Sequence, residues 1–373
     1  MKKIIAAVLA AITLLLCFTS CSDKVNTKKL KSGDSVIGIL TPGSSDGDEY
    51  AEVMKIQETY GADKIAVETY SVGLGSSVSS IYEAAQRLLE NQNIKAIIFS
   101  RGVEGTADAI KAVKAARPDV ECIDVNPSEL DYYVSNTADL TISMSDEETC
   151  SSMVATAKKS GMKTVVYLIP NRFKENQSIK KTGEALKAAC EDKKLEYVEY
   201  MYSDQVDSMD KIKLIMDSAV LKCIEEHGKE IAFYSASCLV TDAVIQSAAE
   251  NGAGYIYGSC NCPKHHYQTA FKVDGGENYS QMLENVRASV NEDVRKNFCV
   301  IESSPSPVML KIALGYAIAF CNGSLNTEEA FDEDAFKSAI KTALKNETVD
   351  EIEFSVSEKY GNIVNVGFPV NTL

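Results

Sequence analysis

Soft ligands and nucleophiles gather at two places in this chain. Cys260, Cys262, His265 and His266 share one short stretch. Thiolate with imidazole suits zinc or copper, but C-x-C-x-x-H-H matches no finger or ribbon, whose cysteines usually bracket a two-residue turn. Two readings stay open, a metal loop and a packed or disulfide-linked crevice loop. The second place is Gly43-Ser44-Ser45-Asp46-Gly47, which fits G-x-S-x-G, the turn that holds a nucleophilic Ser between a strand and a helix. It follows the first strand, whereas that hydrolase architecture needs several strands before its nucleophile, then an acid and a loop His. Only His227, His265 and His266 are available for the last role. Gly73-Leu74-Gly75 is a dinucleotide fingerprint without its third Gly, so no cofactor is expected.

Other polar groups stand where strands end. Arg101 and Arg172 each follow an apolar run directly, and a guanidinium there is suited to bidentate capture of carboxylate or phosphate. The alternative is a surface ion pair with Glu104 or Glu175. Ser44, Ser45, Asn126, Asn171, Ser235, Ser237 and Asn261 occupy equivalent loops, as hydrogen-bonding groups for a polar solute or as ordinary turn residues. Tyr70, Tyr202 and Tyr234 offer rings for stacking in a chain that has no Trp; packing is the competing role.

The elements that must position these groups alternate in type. Short β-branched runs such as Val36 to Leu40, Ile94 to Phe99 and Thr164 to Ile169 are followed by stretches of helical period, the pattern of parallel sheets covered by helices. Five strands are expected by Ser143, and a second round with the same grammar begins after a helix over Asp146 to Lys159. Each round opens on an apolar strand that runs into Pro, at Pro42 and at Pro170. After Pro305 and Pro307, Met309 to Cys321 reads as a strongly apolar helix that must pack on a preformed domain. At 373 residues, two domains are the prior.

Lys2, Lys3, the apolar run Ile4 to Leu16 and the tail Thr19-Ser20-Cys21 form an export signal, with 22–34 as a polar, Lys-rich tether. Its end on Cys resembles the signal of a bacterial lipoprotein, which implies diacylation at Cys21 and a membrane anchor on the extracytoplasmic face; Phe18 departs from that pattern. An ordinary signal peptide is the alternative. Beyond Cys21 no apolar run approaches a membrane-spanning length. The net charge of −15 disfavours nucleic acid and anionic lipid as partners. Besides Cys17 and Cys21 there are nine cysteines in no small-scaffold spacing, most of which read as core residues of a weakly oxidising setting, with one or two disulfides as the alternative.

An export signal followed by two α/β halves of similar layout resembles the type I periplasmic solute-binding proteins over residues 35 to 373. Closer still is the resemblance to an uncharacterised family of bacterial lipoproteins related to them. It is carried by Val36-Ile37-Gly38-Ile39-Leu40-Thr41, Val103-Glu104-Gly105-Thr106, Tyr167-Leu168-Ile169-Pro170-Asn171-Arg172, the run Ala232 to Cys238, and Cys260-Asn261-Cys262-Pro263. The resemblance implies an α/β fold of two Rossmann-like lobes with parallel sheets joined by a multi-crossover hinge. The first lobe would be 35–144 plus 305–345, the second 145–304 plus 346–373. It implies a binder rather than an enzyme, holding a small polar solute between the lobes for an ABC-type importer or a sensor. An exported hydrolase-like enzyme and a metal-binding lipoprotein are the alternatives.

Overall fold

The structure, a computed structural model, describes residues 29–30, 35–43, 48–71, 79–203, 208–256, 266–276, 279–326, 329–347 and 351–373. The first round of the chain runs β1 (Val36–Pro42), α1 (Asp48–Tyr60), β2 (Ile65–Tyr70), α2 (Ser79–Leu89), β3 (Ile94–Phe99), α3 (Thr106–Ala116), β4 (Glu121–Val125), α4 (Asp131–Ser135) and β5 (Leu140–Met144). The second runs α5 (Asp146–Lys159), β6 (Thr164–Pro170), α6 (Gln177–Lys193), β7 (Glu196–Tyr202), α7 (Met209–His227), β8 (Ile231–Ser235), α8 (Cys238–Asn251) and β9 (Gly254–Ile256). Then come α9 (His266–Phe271), α10 (Tyr279–Ser289), α11 (Glu292–Arg295) and β10 (Phe298–Ile301). The remainder is α12 (Pro305–Cys321), α13 (Glu333–Ala343), β11 (Glu353–Val356), β12 (Ile363–Gly367) and β13 (Val370–Thr372).

These strands form two sheets with one topology. The first has the order β2-β1-β3-β4-β5-β12-β11 and the second β7-β6-β8-β9-β10-β13. Taken from the first strand of each round, both are 2-1-3-4-5, the doubly wound order in which the chain reverses direction across the sheet after its second strand. All pairings are parallel except β11 on β12 and β13 on β10. The opening strands β1 and β6, which both end at Pro, are buried along their whole length. That burial matches their continuous apolar character, because a parallel strand covered on both faces has no solvent side to keep polar.

One apolar cluster fills the outer face of the first sheet with Leu40, Phe99 and Ile110, and another fills a face of the second with Val166, Phe233 and Val244. The largest cluster takes the other two faces together, running from Ile39 and Ile98 through α5 at Met153 to Tyr167 and Ile301. Helix α12 closes this core on the first sheet: residues Ser306 to Ile318, except Lys311, are buried, as its apolar sequence requires.

The terminal strands depart from expectation. Residues 346–373 do not all join the second lobe: β11 and β12 extend the first sheet beside β5, and only β13 reaches the second. The first sheet therefore has seven strands instead of five. The backbone crosses between lobes at 144–146, 301–305 and 367–370, three segments that join one sheet to the other. Strand β10 and helices α4 and α9 were not legible as elements, and the helical stretch from Tyr279 to Arg295 is broken at Val290 and Asn291.

Candidate functional site

Open parallel sheets present ligand-binding loops beyond the carboxyl ends of their strands. Here the segment after β4 and the segment after β6 face each other across a cleft of about 750 Å³. From the first lobe it takes Asn126 to Tyr132, Ser143 and Met144; from the second, Asp146, Phe173, Asn176, Gln177, Ile179 and Lys181. Tyr360 and Asn365, from around β12, close it.

Each wall has a local cause. Asn126 adopts φ 50°, a left-handed conformation that Asn tolerates better than most residues, and its N–H donates to the Ile142 carbonyl at 2.7 Å. The turn that follows is pinned to Gly102: the Gly102 N–H donates to Val125 O and the Ser128 N–H to Gly102 O, both at 2.9 Å. A Cβ on Gly102 would stand 2.5 Å from Asp124 Oδ1 and 2.7 Å from Pro127 Cα, so the approach requires glycine. Glu129 is spent on structure, since its carboxylate accepts from the N–H groups of Gly105 (3.2 Å) and Ala107 (2.8 Å) at the start of α3.

On the opposite wall two helices begin at the cleft. Ser145 caps α5 by accepting from Glu148 N–H at 3.2 Å, and Asn176 caps α6 by accepting from Ile179 N–H at 3.1 Å. Asp146 accepts from the Thr182 hydroxyl at 3.3 Å; burial pushes its pKa up, against the pull of the Lys181 charge and that hydrogen bond. Leu130 and Tyr132 form an exposed lip, 58% and 63% accessible. The lining is thus amides, hydroxyls and rings with the carboxylates of Glu129, Asp131 and Asp146 and the ammonium of Lys181, a mixture that holds a polar solute by hydrogen bonds and stacking.

Of the residues singled out in the sequence, Asn126 lines this cleft. Arg101 does something else: its Nε and Nη2 lie 3.0 and 2.8 Å from Glu49 Oε2, a carboxylate only 3% exposed. Its ion-pair partner is therefore Glu49 and not Glu104. Ser100 donates to the other oxygen of the same carboxylate, and the buried Tyr70 hydroxyl donates to the Arg101 carbonyl. The four residues brace the ends of β2 and β3 to α1. Ser235 is likewise engaged in a buried hydroxyl cluster, 2.7 Å from Thr241 Oγ1 and 2.6 Å from the Tyr255 hydroxyl.

Asn171 and Arg172 lie in a 3₁₀ turn after β6, where the Arg172 guanidinium covers the Phe173 ring at 4.6 Å while Glu175 pairs with Lys180. Arg172, Tyr202 and Ser237 line a narrow apolar slot in the second lobe with Met216 and Val240. Tyr234 stacks on Tyr167 at 5.5 Å. Ser44, Ser45, Asn261, Cys260, Cys262, His265 and Cys21 lie outside the described residues. Among the described residues no group of three His, Cys, Asp or Glu is placed to hold a metal.

The sequence pattern of a family described as "Protein of unknown function (DUF3798)" matches residues 36–299. The chain belongs to that family. Two uncharacterised proteins of Treponema pallidum (strain Nichols) are similar to this DUF3798 chain. One is 28% identical over 149 residues, 39% of this chain and 69% of its own length; the other is 26% identical over 174 residues, 44% and 77%. Among solved structures, a putative transcriptional regulator from Clostridium difficile 630 superposes with a TM-score of 0.77 at 16% identity, covering 91% of this chain and 99% of that one. The substrate-binding protein of a sugar ABC transport system from Bordetella parapertussis 12822 gives 0.55 at 8% identity, covering 92% and 90%. A sugar ABC transporter protein from Actinomyces odontolyticus ATCC 17982 gives 0.52 at 12% identity, covering 81% and 88%. The DUF3798 chain thus has the type I periplasmic-binding-protein fold.

Proposed function

We propose that this protein is a lipid-anchored extracytoplasmic receptor that captures a small polar solute between its lobes and presents it to an ABC-type importer or a sensor. The observation that carries the reading is the cleft of about 750 Å³ built by the segments after β4 and β6, a volume suited to a small molecule and walled by both lobes. Its lip residues Leu130 and Tyr132 have apolar surface to bury when the lobes close. Two of the similar folds are named as sugar-transport proteins, which makes sugars the first class to test. Cys21 supplies the anchor, and the tether after it supplies slack for docking.

A thermal-shift panel of sugars, nucleosides, amino acids and carboxylates tests the binding role, because a ligand held only by the folded state raises the melting temperature by mass action. A hit should weaken in Asn126→Ala and Gln177→Ala. A panel without hits, or hits indifferent to both substitutions, would overturn the reading. Detergent partitioning of the native protein and of Cys21→Ala tests the anchor separately.

A further inference from the structure

The charges that line the interlobe cleft favour one class of solute, an inference that rests on the capture role proposed above. In the lining, the carboxylates of Glu129, Asp131 and Asp146 stand against the single ammonium of Lys181. Glu129 is held by N–H groups at the start of α3, and Lys181 acts on Asp146, countering part of the effect of burial. Asp131 is left over. It is exposed, and among the described residues its carboxylate accepts no hydrogen bond and forms no ion pair.

Asp131 belongs to the first lobe and Asp146 to the second. The pKa of Asp146 is pushed up by burial first, and the charge of Asp131 adds to that push, so the two carboxylates already oppose each other across the opening. Bringing the lobes together would strengthen the repulsion and expel the water that screens it. A neutral solute leaves the opposition in place, whereas a cation between the two carboxylates turns it into two attractions. We infer that the cleft selects a solute carrying a primary ammonium, seated between Asp131 and Asp146.

The rings supply an independent argument. Tyr132, Phe173 and Tyr360 reach the cleft from α4, from the 3₁₀ turn after β6 and from the chain before β12. Two of them already hold a cation of the chain itself: the Arg172 guanidinium lies 4.6 Å from the centre of the Phe173 ring, and the Lys359 ammonium 4.7 Å from that of Tyr360. Lys359 is an exposed side chain whose pKa is raised first by Tyr360 and then by the Asp131 charge, so ring and carboxylate together favour a charged ammonium beside the cleft. A solute bearing carboxylate or phosphate would instead meet like charge from both lobes. Asn126, Gln177 and Asn365 remain for the uncharged polar groups of the solute.

Isothermal titration of the purified full chain with glucosamine, tyramine and 5-amino-1-pentanol, each beside its N-acetyl derivative, tests the inference, because acetylation keeps the skeleton and removes the charge. At least one amine should bind about tenfold or more tightly than its acetylated partner. Asp131→Asn and Asp146→Asn should each weaken that amine about tenfold, with both variants melting as folded chains by circular dichroism. If the Asp146 variant does not fold, the exposed Asp131 decides alone. An acetylated partner that binds as well as its amine, or an amine indifferent to Asp131→Asn, would overturn the inference. Neutral solutes that bind while every amine fails would overturn the charge selection and leave the receptor standing. No bound solute in either this set or the thermal panel would overturn both.

Discussion

At the scale of single residues, the informative groups are charges held away from water. Glu49 receives Arg101 and Ser100 in a pocket that leaves its side chain 3% exposed, where an unpaired charge is costly. Removing the cation strands it, so Arg101→Met should destabilise the fold by about 3 kcal/mol in urea unfolding, whereas the paired change with Glu49→Leu should recover much of the loss. Glu121, at the start of β4, is pushed up to about 7 by burial and by the neighbouring charge of Asp139. Between its ordinary value of 4.5 and about 7, the unfolded chain has given up the proton while the folded chain keeps it. Its contribution to stability therefore falls as pH rises through that window. Glu121→Gln should flatten the pH dependence of the melting temperature there, and an unchanged slope would refute the assignment. None of this was readable from residue types: Arg101 and Glu49 lie 52 positions apart, and only the pairing of β1 with β3 brings α1 against the strand end.

At the scale of elements, the cleft depends on turns held by one close backbone approach. Gly102→Ala would drive a methyl into Asp124 and Pro127, costing about 1–3 kcal/mol and shifting the turn that carries Asn126. Calorimetry with a solute hit should then show weaker binding than the loss of stability explains; intact affinity would mean that the turn does not shape the site. The alternation of strands and helices was legible because long, buried, β-branched runs and amphipathic helices have distinct periods. Phe298–Ile301 was not, since four apolar residues after two helices carry no period, and Asp131–Ser135 is too short to show one. The cleft was half legible for the same reason: Asn126 follows a strand visibly, whereas Asp146 and Lys181 reach it from helix starts and Tyr360 from beside a late strand.

At the scale of the whole molecule, three crossovers join the two sheets, and the proposed capture requires the lobes to close about them. Small-angle scattering should show compaction when a solute from the thermal screen binds, and an unchanged radius of gyration with a confirmed ligand would exclude closure. The internal duplication is a matter of topology, the order 2-1-3-4-5 appearing twice while the sequences share little beyond a strand ending in Pro.

The return of β11 and β12 to the first sheet has a consequence for how the protein comes into being. The first sheet holds residues from 36 to 367, so its edge is missing until almost all of the polypeptide has been synthesised, and β13 leaves the second sheet incomplete for longer still. Neither half can mature ahead of the other as the chain emerges. A premature stop between residues 345 and 363 would therefore leave two defective lobes rather than one finished and one lost.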